Sequence, residues 1–366
     1  MKLHPSGPLK GLKVIEFAGI GPGPFACMML SDMGADVVTL ERPPVKERDA
    51  NHVVGRGRTL LPADLKNRSD RESVLELVKS ADVIVEGFRP GVMERLGLGP
   101  ADLLALNPRL VYGRMTGWGQ SGPLAMSAGH DINYIAITGA LHAIGVPDGR
   151  PIPPLNLVGD YGGGSLYLVV GILAAVHEAR SSGLGQVVDA AILDGVVNMM
   201  ANSAARAARG AYMETRGANM LDGGHPYYRT YETSGGEHIS LGAIEPQFFA
   251  EFCERAGVPV ELRDAQHNQD RWPELTRTLG QIFLGASRAD WQAKLEGTDA
   301  CIAAVLPLSE APSHPQNRAR NNFVTVAGVE QPGPAPKFSR TPAAVQGLSV
   351  IAESYEEIGR RWANCT

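Results

Sequence analysis

Three short segments carry side chains able to move protons. Gly129-His130-Asp131-Ile132-Asn133-Tyr134 sets an imidazole beside a carboxylate. Histidine gains or loses a proton near neutrality, which suits general acid–base work. Adjacent residues do not easily orient one another, so His130 and Asp131 are expected to face different partners. Taken alone, His130 reads as either structural or catalytic. Residues 156–164 (NLVGDYGGG) place Asp160 before three glycines at an expected helix start. An aspartate there can cap the helix, a contribution of about 1 kcal/mol. The glycines exceed what a cap needs. They permit close approach of a ligand and expose backbone N–H groups to developing negative charge. A reactive carboxylate therefore competes with the cap. Glu245, in Ala243-Ile244-Glu245-Pro246-Gln247, ends a strand and by itself reads as a surface acid or a helix-start charge.

A second set of residues suits anion binding. Arg42, Arg56, Arg58, Lys66, Arg89 and Arg95 lie near expected strand ends or in the loops after them. Ligands of open α/β sheets sit outside the carboxyl ends of strands. Guanidinium groups there can clamp phosphates bidentately, or can simply be solvated loop charge. Glu86-Gly87-Phe88-Arg89-Pro90-Gly91 is more pointed, because a strand ends and Gly, Arg and Gly follow at once. Gly19-Ile20-Gly21-Pro22-Gly23-Pro24 follows the first strand, yet matches neither GxGxxG nor GxxxxGK[ST]. It reads as a tight βα turn with proline near the helix start.

Other chemistries lack their spacings. Cys27, Cys253, Cys301 and Cys365 lie far apart without CxxC, and the nine histidines show no HExxH or HxxxH. No metal site, disulfide framework or redox cofactor is expected, and a reducing compartment is the default. Gly163-Gly164-Ser165-Leu166-Tyr167 lacks the closing glycine of a serine hydrolase elbow. The net charge of −5 and the missing Lys/Arg stripe argue against a nucleic-acid partner. The longest apolar run, 166–176, spans 11 residues. That falls short of the roughly 20 of a membrane span and reads as a buried helix segment. The N-terminal MKLHPSGPLKG lacks a signal-peptide core, and the C-terminal WANCT is neither SKL nor KDEL. No membrane insertion and a cytoplasmic location are expected.

Elements must bring these residues together. Residues 12–17, 35–40, 82–86 and 110–114 are short apolar strands, with helical patterns at 25–33, 70–80 and 101–106. Such alternation predicts βαβ units and a parallel sheet buried on both faces. Residues 116–165 break the rhythm with Gly, Pro and Asn. An apolar helix follows at 165–180, then a strand-like QVVDAAI. A second unit shows a strand at 238–243 and helices near 246–256, 273–284 and 288–296. The expected domains are 1–190 (large), 191–222 (linker), 223–320 (small) and 321–366 (return to the large domain). The chain carries 43 Gly and 26 Pro, nearly a fifth of its length, against roughly 12% in average chains. Neither a period of three nor a low-complexity tract accounts for them.

Together these segments resemble the family III coenzyme A transferases, and within them the α-methylacyl-CoA racemase branch. The resemblance is carried by LKVIEFAGIGPGPFACMMLSDMGADV, PADLK, EGFRPGVMERLGLGP, RMTGWGQSGP, GHDINYIAITGALHAIG, PPLNLVGDYGGGS, GQVVDAAILDG, RGANMLDGG and AIEPQFF. It runs nearly end to end and weakens after about residue 340. It implies an α/β fold: a Rossmann-like large domain with a parallel sheet, a smaller α/β domain, and an interlocked homodimer. The site would lie between the large domain of one subunit and the small domain of the other. His130 and Asp160 would be the acid/base pair, Glu245 would support His130, and Asp131 would support Asp160. The CoA moiety of an acyl-CoA thioester would be held by Ile20, Arg42, Ala63, Asp64, Leu65, Lys66, Gly87, Phe88, Arg89, Arg95, Gly129, Ile132, Asn133 and Tyr134. No cofactor beyond that moiety is implied.

The chemistry of the residues agrees. Racemising an α-methyl thioester needs a base on one face of the α carbon and an acid on the other. The intermediate is an enolate, so backbone donors near the thioester oxygen are required. The competing reading is CoA transfer between carboxylates, with Asp160 as nucleophile. His130 separates the two, because the resemblance implies a different residue there in the transferases. Met199, Met200, Met213 and Met220 read as adaptable apolar surface for the acyl group or as core, with core favoured for Met199 and Met200.

Overall fold

The computed structural model describes residues 6–352 and 354–363. Cys365 lies outside them. Two compact units emerge: one from the chain up to Gly139, 154–200 and the segment from 315 onward, the other from Ala140–Pro153 and Ala201–His314.

The first unit is built on a seven-stranded parallel sheet. Its strands are β1 (Lys13–Phe17), β2 (Asp36–Glu41), β3 (Arg58–Pro62), β4 (Val83–Glu86), β5 (Val111–Thr116), β6 (Val187–Ala191) and β12 (Val350–Ile351), in the spatial order β12-β3-β2-β1-β4-β5-β6. Ile15 of β1 pairs with Val38 on one side and Ile84 on the other. All three are fully buried, as strands covered on both faces must be. Helices α1 (Pro22–Asp32), α2 (Arg68–Val78), α3 (Val92–Arg95) and α4 (Pro100–Leu106) connect these strands. The strand order reverses between β1 and β4, where open α/β sheets place their ligands.

Strand β3 was not expected from the sequence. Its first residue, Arg58, and Arg56 just before it read as loop charge or as phosphate clamps, and they are neither. Arg56 is 2% exposed and pairs with Asp32 of α1 at 2.5 Å. Arg58 is 1% exposed; its Nε donates to Glu16 at 3.1 Å and its other nitrogens bond the carbonyls of Arg56 and Pro24. Charged residues open an interior strand here because each has a buried acid waiting on a neighbouring element.

Residues 116–165, which read as a break, hold α5 (Asp131–Ala136) and a ten-residue wide-turn helix, Leu157–Leu166, of the π type. This wide helix runs directly into α7 (Tyr167–Ser182). The combined Leu157–Ser182 helix is 26 residues long, and an 18-residue stretch of it has mean hydropathy 1.4, so it is long and apolar enough to cross a membrane by length and composition. Its buried face, Leu168 and Ile172 among it, covers β5, where Gly113 leaves room for both side chains. Val170 on the other face is 65% exposed, so the expected buried segment is buried on one side only.

The region 191–222, expected as a linker, begins with two helices, α8 (Ile192–Met199) and α9 (Ala201–Ala208). Helix α8 docks on the wide helix at Gly163 and Gly195; a Cβ on Gly195 would fall 2.0 Å from the Gly163 carbonyl. Met199, expected in the core, is 44% exposed.

The second unit contains α6 (Ala140–Ala143), α9 and a three-stranded antiparallel sheet of β7 (Tyr228–Glu232), β8 (His238–Gly242) and β9 (Ile302–Ala304). Helices α10 (Pro246–Ala256), α11 (Trp272–Leu284) and α12 (Arg288–Leu295) close one core around Phe249, Phe252, Phe283 and Trp291. Residues 140–153 join this unit through long-range bonds. Arg216 donates to the carbonyls of His142 and Gly149, and His142 contacts the Glu214 carbonyl. The chain then returns to the first unit through α13 (Pro315–Ala319), the hairpin of β10 (Phe323–Val326) and β11 (Val329–Pro332), β12, and α14 (Tyr355–Ala363). Trp362 of α14 is fully buried, with Nε1 donating to Asp36 at 2.9 Å.

Candidate active site

A cavity of about 870 Å³ opens at the carboxyl ends of β1, β4 and β5, at the point where the strand order reverses. Three segments leaving strand ends form part of its walls. Residues 17–24 leave β1, 85–90 leave β4, and 115–118 leave β5. His130 and Asp160 both line it.

Each acid/base residue is placed by its own element. His130 precedes α5; its backbone N–H donates to Asn133 Oδ1 at 3.1 Å, and its carbonyl accepts from the N–H groups of Asn133 and Tyr134. Asp160 is the fourth residue of the wide helix, not its cap. Wide turns of this kind recur at functional sites. Asp160 is half-buried, and its pKa is raised. Burial is the main cause, followed by the charge of Asp131; a hydrogen bond from Asn156 and the charge of His130 oppose the shift.

Asp131 holds the backbone beneath Asp160. Its Oδ2 accepts the Asp160 N–H at 2.6 Å, and the Gly159 N–H also bonds its carboxylate. Its other oxygen, Oδ1, is buried without a hydrogen-bond partner. Burial raises the pKa of Asp131 against those two backbone bonds. Gly159 makes the arrangement possible, since a Cβ there would fall 2.2 Å from Asp131 Oδ2. Gly21, at φ 70°, does the same on the far side; a Cβ would come within 3.1 Å of Asp160 Oδ2.

Tyr134 fills the gap between the third wall and α5. Its ring meets Trp118 edge-on at 4.8 Å between centroids, and its hydroxyl donates to the Gly129 carbonyl. Gly117 and Gly129 leave room for the ring. Burial raises the tyrosine pKa, as does the charge of Asp160, while Arg89 opposes them.

Several residues expected to hold CoA also line the cavity: Ile20, Gly87, Phe88, Arg89, Gly129, Asn133 and Tyr134. Ile20 is 83% exposed, and Arg89 is exposed as well. The Phe88 N–H is already taken by the buried Glu86 carboxylate at 2.7 Å, which Arg114 also binds at 2.9 Å. Arg42, Arg95 and Ile132 are exposed outside the cavity lining, and so is Lys66. Ala63 is buried in the core and Leu65 packs against it. The N–H of Asp64 is bonded to Asp70 and that of Lys66 to Asp64. Glu245 stands exposed at the start of α10 in the second unit, where its charge raises the pKa of Cys301 after burial does. Among the described residues, no cluster of three or more His, Cys, Asp or Glu could hold a metal ion.

Two of the three glycines after Asp160 are buried packing positions. A Cβ on Gly163 would strike Val196 of α8 at 2.5 Å, and one on Gly164 would meet Ile192 and Pro22. The sequence reads Gly21 only as part of a tight turn, Ser165 only as part of an incomplete hydrolase elbow, and Trp118 only within a matching segment. The glycine before Pro22 in that turn is the readable signal for Gly21; nothing in the sequence points to Ser165 as a neighbour of Asp160.

Residues 9–348 match CoA-transferase family III. The chain is 42% identical to the mouse "Alpha-methylacyl-CoA racemase" (Mus musculus) over 336 residues, covering 92% of this chain and 87% of that one. The human protein of the same name (Homo sapiens) is 40% identical over 353 residues, covering 96% and 92%. Among solved structures, a CAIB/BAIF family protein from Brucella suis superposes with a TM-score of 0.81 at 27% identity, covering 99% of this chain and all of that one. With the family match spanning most of its length and its fold shared by that structure, the chain belongs to CoA-transferase family III.

Proposed function

We propose that this protein is a racemase that interconverts the (R) and (S) forms of 2-methylacyl-CoA thioesters. The observation that carries the reading is the pairing of His130 and Asp160, on separate elements, at one cavity. Relatives at 40–42% identity bearing the racemase name support it.

In this reading one of the two residues takes the α proton as the C–H bond breaks, and the electron pair moves onto the thioester oxygen. The other residue then delivers a proton to the opposite face of the α carbon. A raised Asp160 pKa suits such a residue, since it brings the carboxyl nearer to neutrality than an ordinary aspartate. Of the first N–H groups of α5, those of Asn133 and Tyr134 are taken by the His130 carbonyl, and those of Asp131 and Ile132 are the donors for the enolate oxygen beside His130. Arg89 and the exposed Arg42, Arg95 and Lys66 supply cations for the CoA phosphates. Glu245 supports His130 across a homodimer, and the protein works in the cytoplasm on soluble acyl-CoA.

Mixing a single enantiomer of a 2-methylacyl-CoA with the enzyme tests this directly against CoA transfer. The racemase reading predicts formation of the other enantiomer without any added carboxylic acid, and no covalent adduct on Asp160. Turnover that requires an acceptor acid, with an acyl group trapped on Asp160, would establish transfer instead.

A further inference from the structure

Ser165 is fully buried, five residues after Asp160 in the wide helix. Its Oγ lies 3.0 Å from the Asp160 carbonyl and 2.7 Å from the Pro22 carbonyl. A hydroxyl has one proton, so it is shared between the two acceptors, and the shorter contact is to Pro22. Pro22 is the first residue of α1 and follows Gly21, the residue against the Asp160 carboxylate. Gly164, next to Ser165, brings the helix within van der Waals reach of Pro22, since a Cβ there would lie 3.2 Å from the proline Cβ. Asp160 is therefore seated twice against one turn. Its main chain is tied there by Ser165, and its carboxylate rests on Gly21. His130 is held separately, on α5, by Asn133.

We propose that Ser165 is a positioning residue for Asp160 and controls proton transfer on one face of the substrate's α carbon only. This rests on the racemase reading. There, each enantiomer surrenders its α proton to a different group: the C–H bond breaks, Asp160 or His130 takes the proton, and the electron pair goes to the enolate oxygen. Return of a solvent-derived deuteron from the same group gives exchange with retention. Exchange from each enantiomer thus reports on one base at a time, whereas interconversion needs both.

The test measures loss of the α proton from (R)- and from (S)-2-methyloctanoyl-CoA in deuterium oxide, before inversion accumulates. In Ser165→Ala, exchange from one enantiomer falls about tenfold, the scale of a modest misplacement of a reacting group. Exchange from the other stays within about twofold. The impaired enantiomer is the one that Asp160→Asn abolishes. Ser165→Cys, which keeps a weak donor, shows the same bias to a smaller degree, and it carries the readout if the alanine variant does not fold. Tyr112→Phe removes another buried hydroxyl bond, 2.9 Å to the Leu98 carbonyl, and leaves the ratio between enantiomers at its wild-type value. Equal losses for both enantiomers, or no loss in either serine variant, overturn the proposal. Wild-type enzyme that exchanges neither enantiomer overturns the racemase reading itself.

Discussion

At Gly159 an added methyl would lie 2.2 Å from the Asp131 oxygen that holds the Gly159–Asp160 backbone. Gly159→Ala must therefore move the carboxylate or the helix turn that carries Asp160. The expected result is a fall in kcat of about tenfold to a hundredfold with little change in KM, because the reacting group is misplaced while CoA contacts remain. Steady-state kinetics on one enantiomer checks it. Asp160 itself carries a pH signature. Its pKa is raised in the folded protein above the ordinary value of 3.8, so the native state keeps its proton to higher pH than the unfolded chain does. Stability from this group is full below that value and is lost as pH rises through the raised native pKa. Asp160→Asn removes the loss. We expect this variant, which cannot interconvert the enantiomers, to melt about 1–3 °C above wild type near pH 7.5, with a smaller gap near pH 4.5, by thermal unfolding.

At the scale of elements, the buried pairs explain how charged residues enter the sheet. Burial raises the Asp32 pKa, and Arg56 opposes the rise, so the carboxylate depends on its partner. Arg56→Met leaves that acid buried and unpaired and is expected to cost about 3–5 kcal/mol in denaturant unfolding. Adding Asp32→Leu should return at least half of the loss; failure to do so would mean that the bonds of Arg56 to Gln331 and Pro332 carry the stability instead. This pair also marks what local pattern conceals. Strands β1, β2, β4 and β5 were legible as short Val- and Ile-rich runs, and α10 as a helix near 246–256. Strand β3 was not, because Arg58 masks its start and the acid that neutralises it lies 42 residues away. The glycines at 162–164 were legible as unusual, but their reason, the close crossing with α8, is a tertiary contact. His130, Asp131 and Asp160 were singled out by residue type and neighbours. That Asp131 grips the backbone of Asp160 required the fold.

At the scale of the whole molecule, the chain builds one unit, leaves it for another, and returns. Local patterns placed the second unit at 223–320, whereas the compact unit also takes in 140–153 and begins again at 201. The fastening that joins these pieces, Arg216 and His142 across some seventy residues, has no local signature. Part of the glycine surplus, diffuse as a count, has a place in the fold: Gly185 and Gly195 lie where backbone crosses backbone, and Gly21 and Gly159 abut the two carboxylates of the site. Such a site needs only a base on each face of the α carbon and donors for an enolate. The most direct measurement is therefore solvent-deuterium incorporation at C2 of a 2-methylacyl-CoA, followed by mass spectrometry and by the optical purity of the product. One deuterium entering per turnover, with formation of the opposite enantiomer and no acceptor acid present, is the predicted result. Absence of incorporation across branched, steroidal and arylpropionyl thioesters would contradict the account.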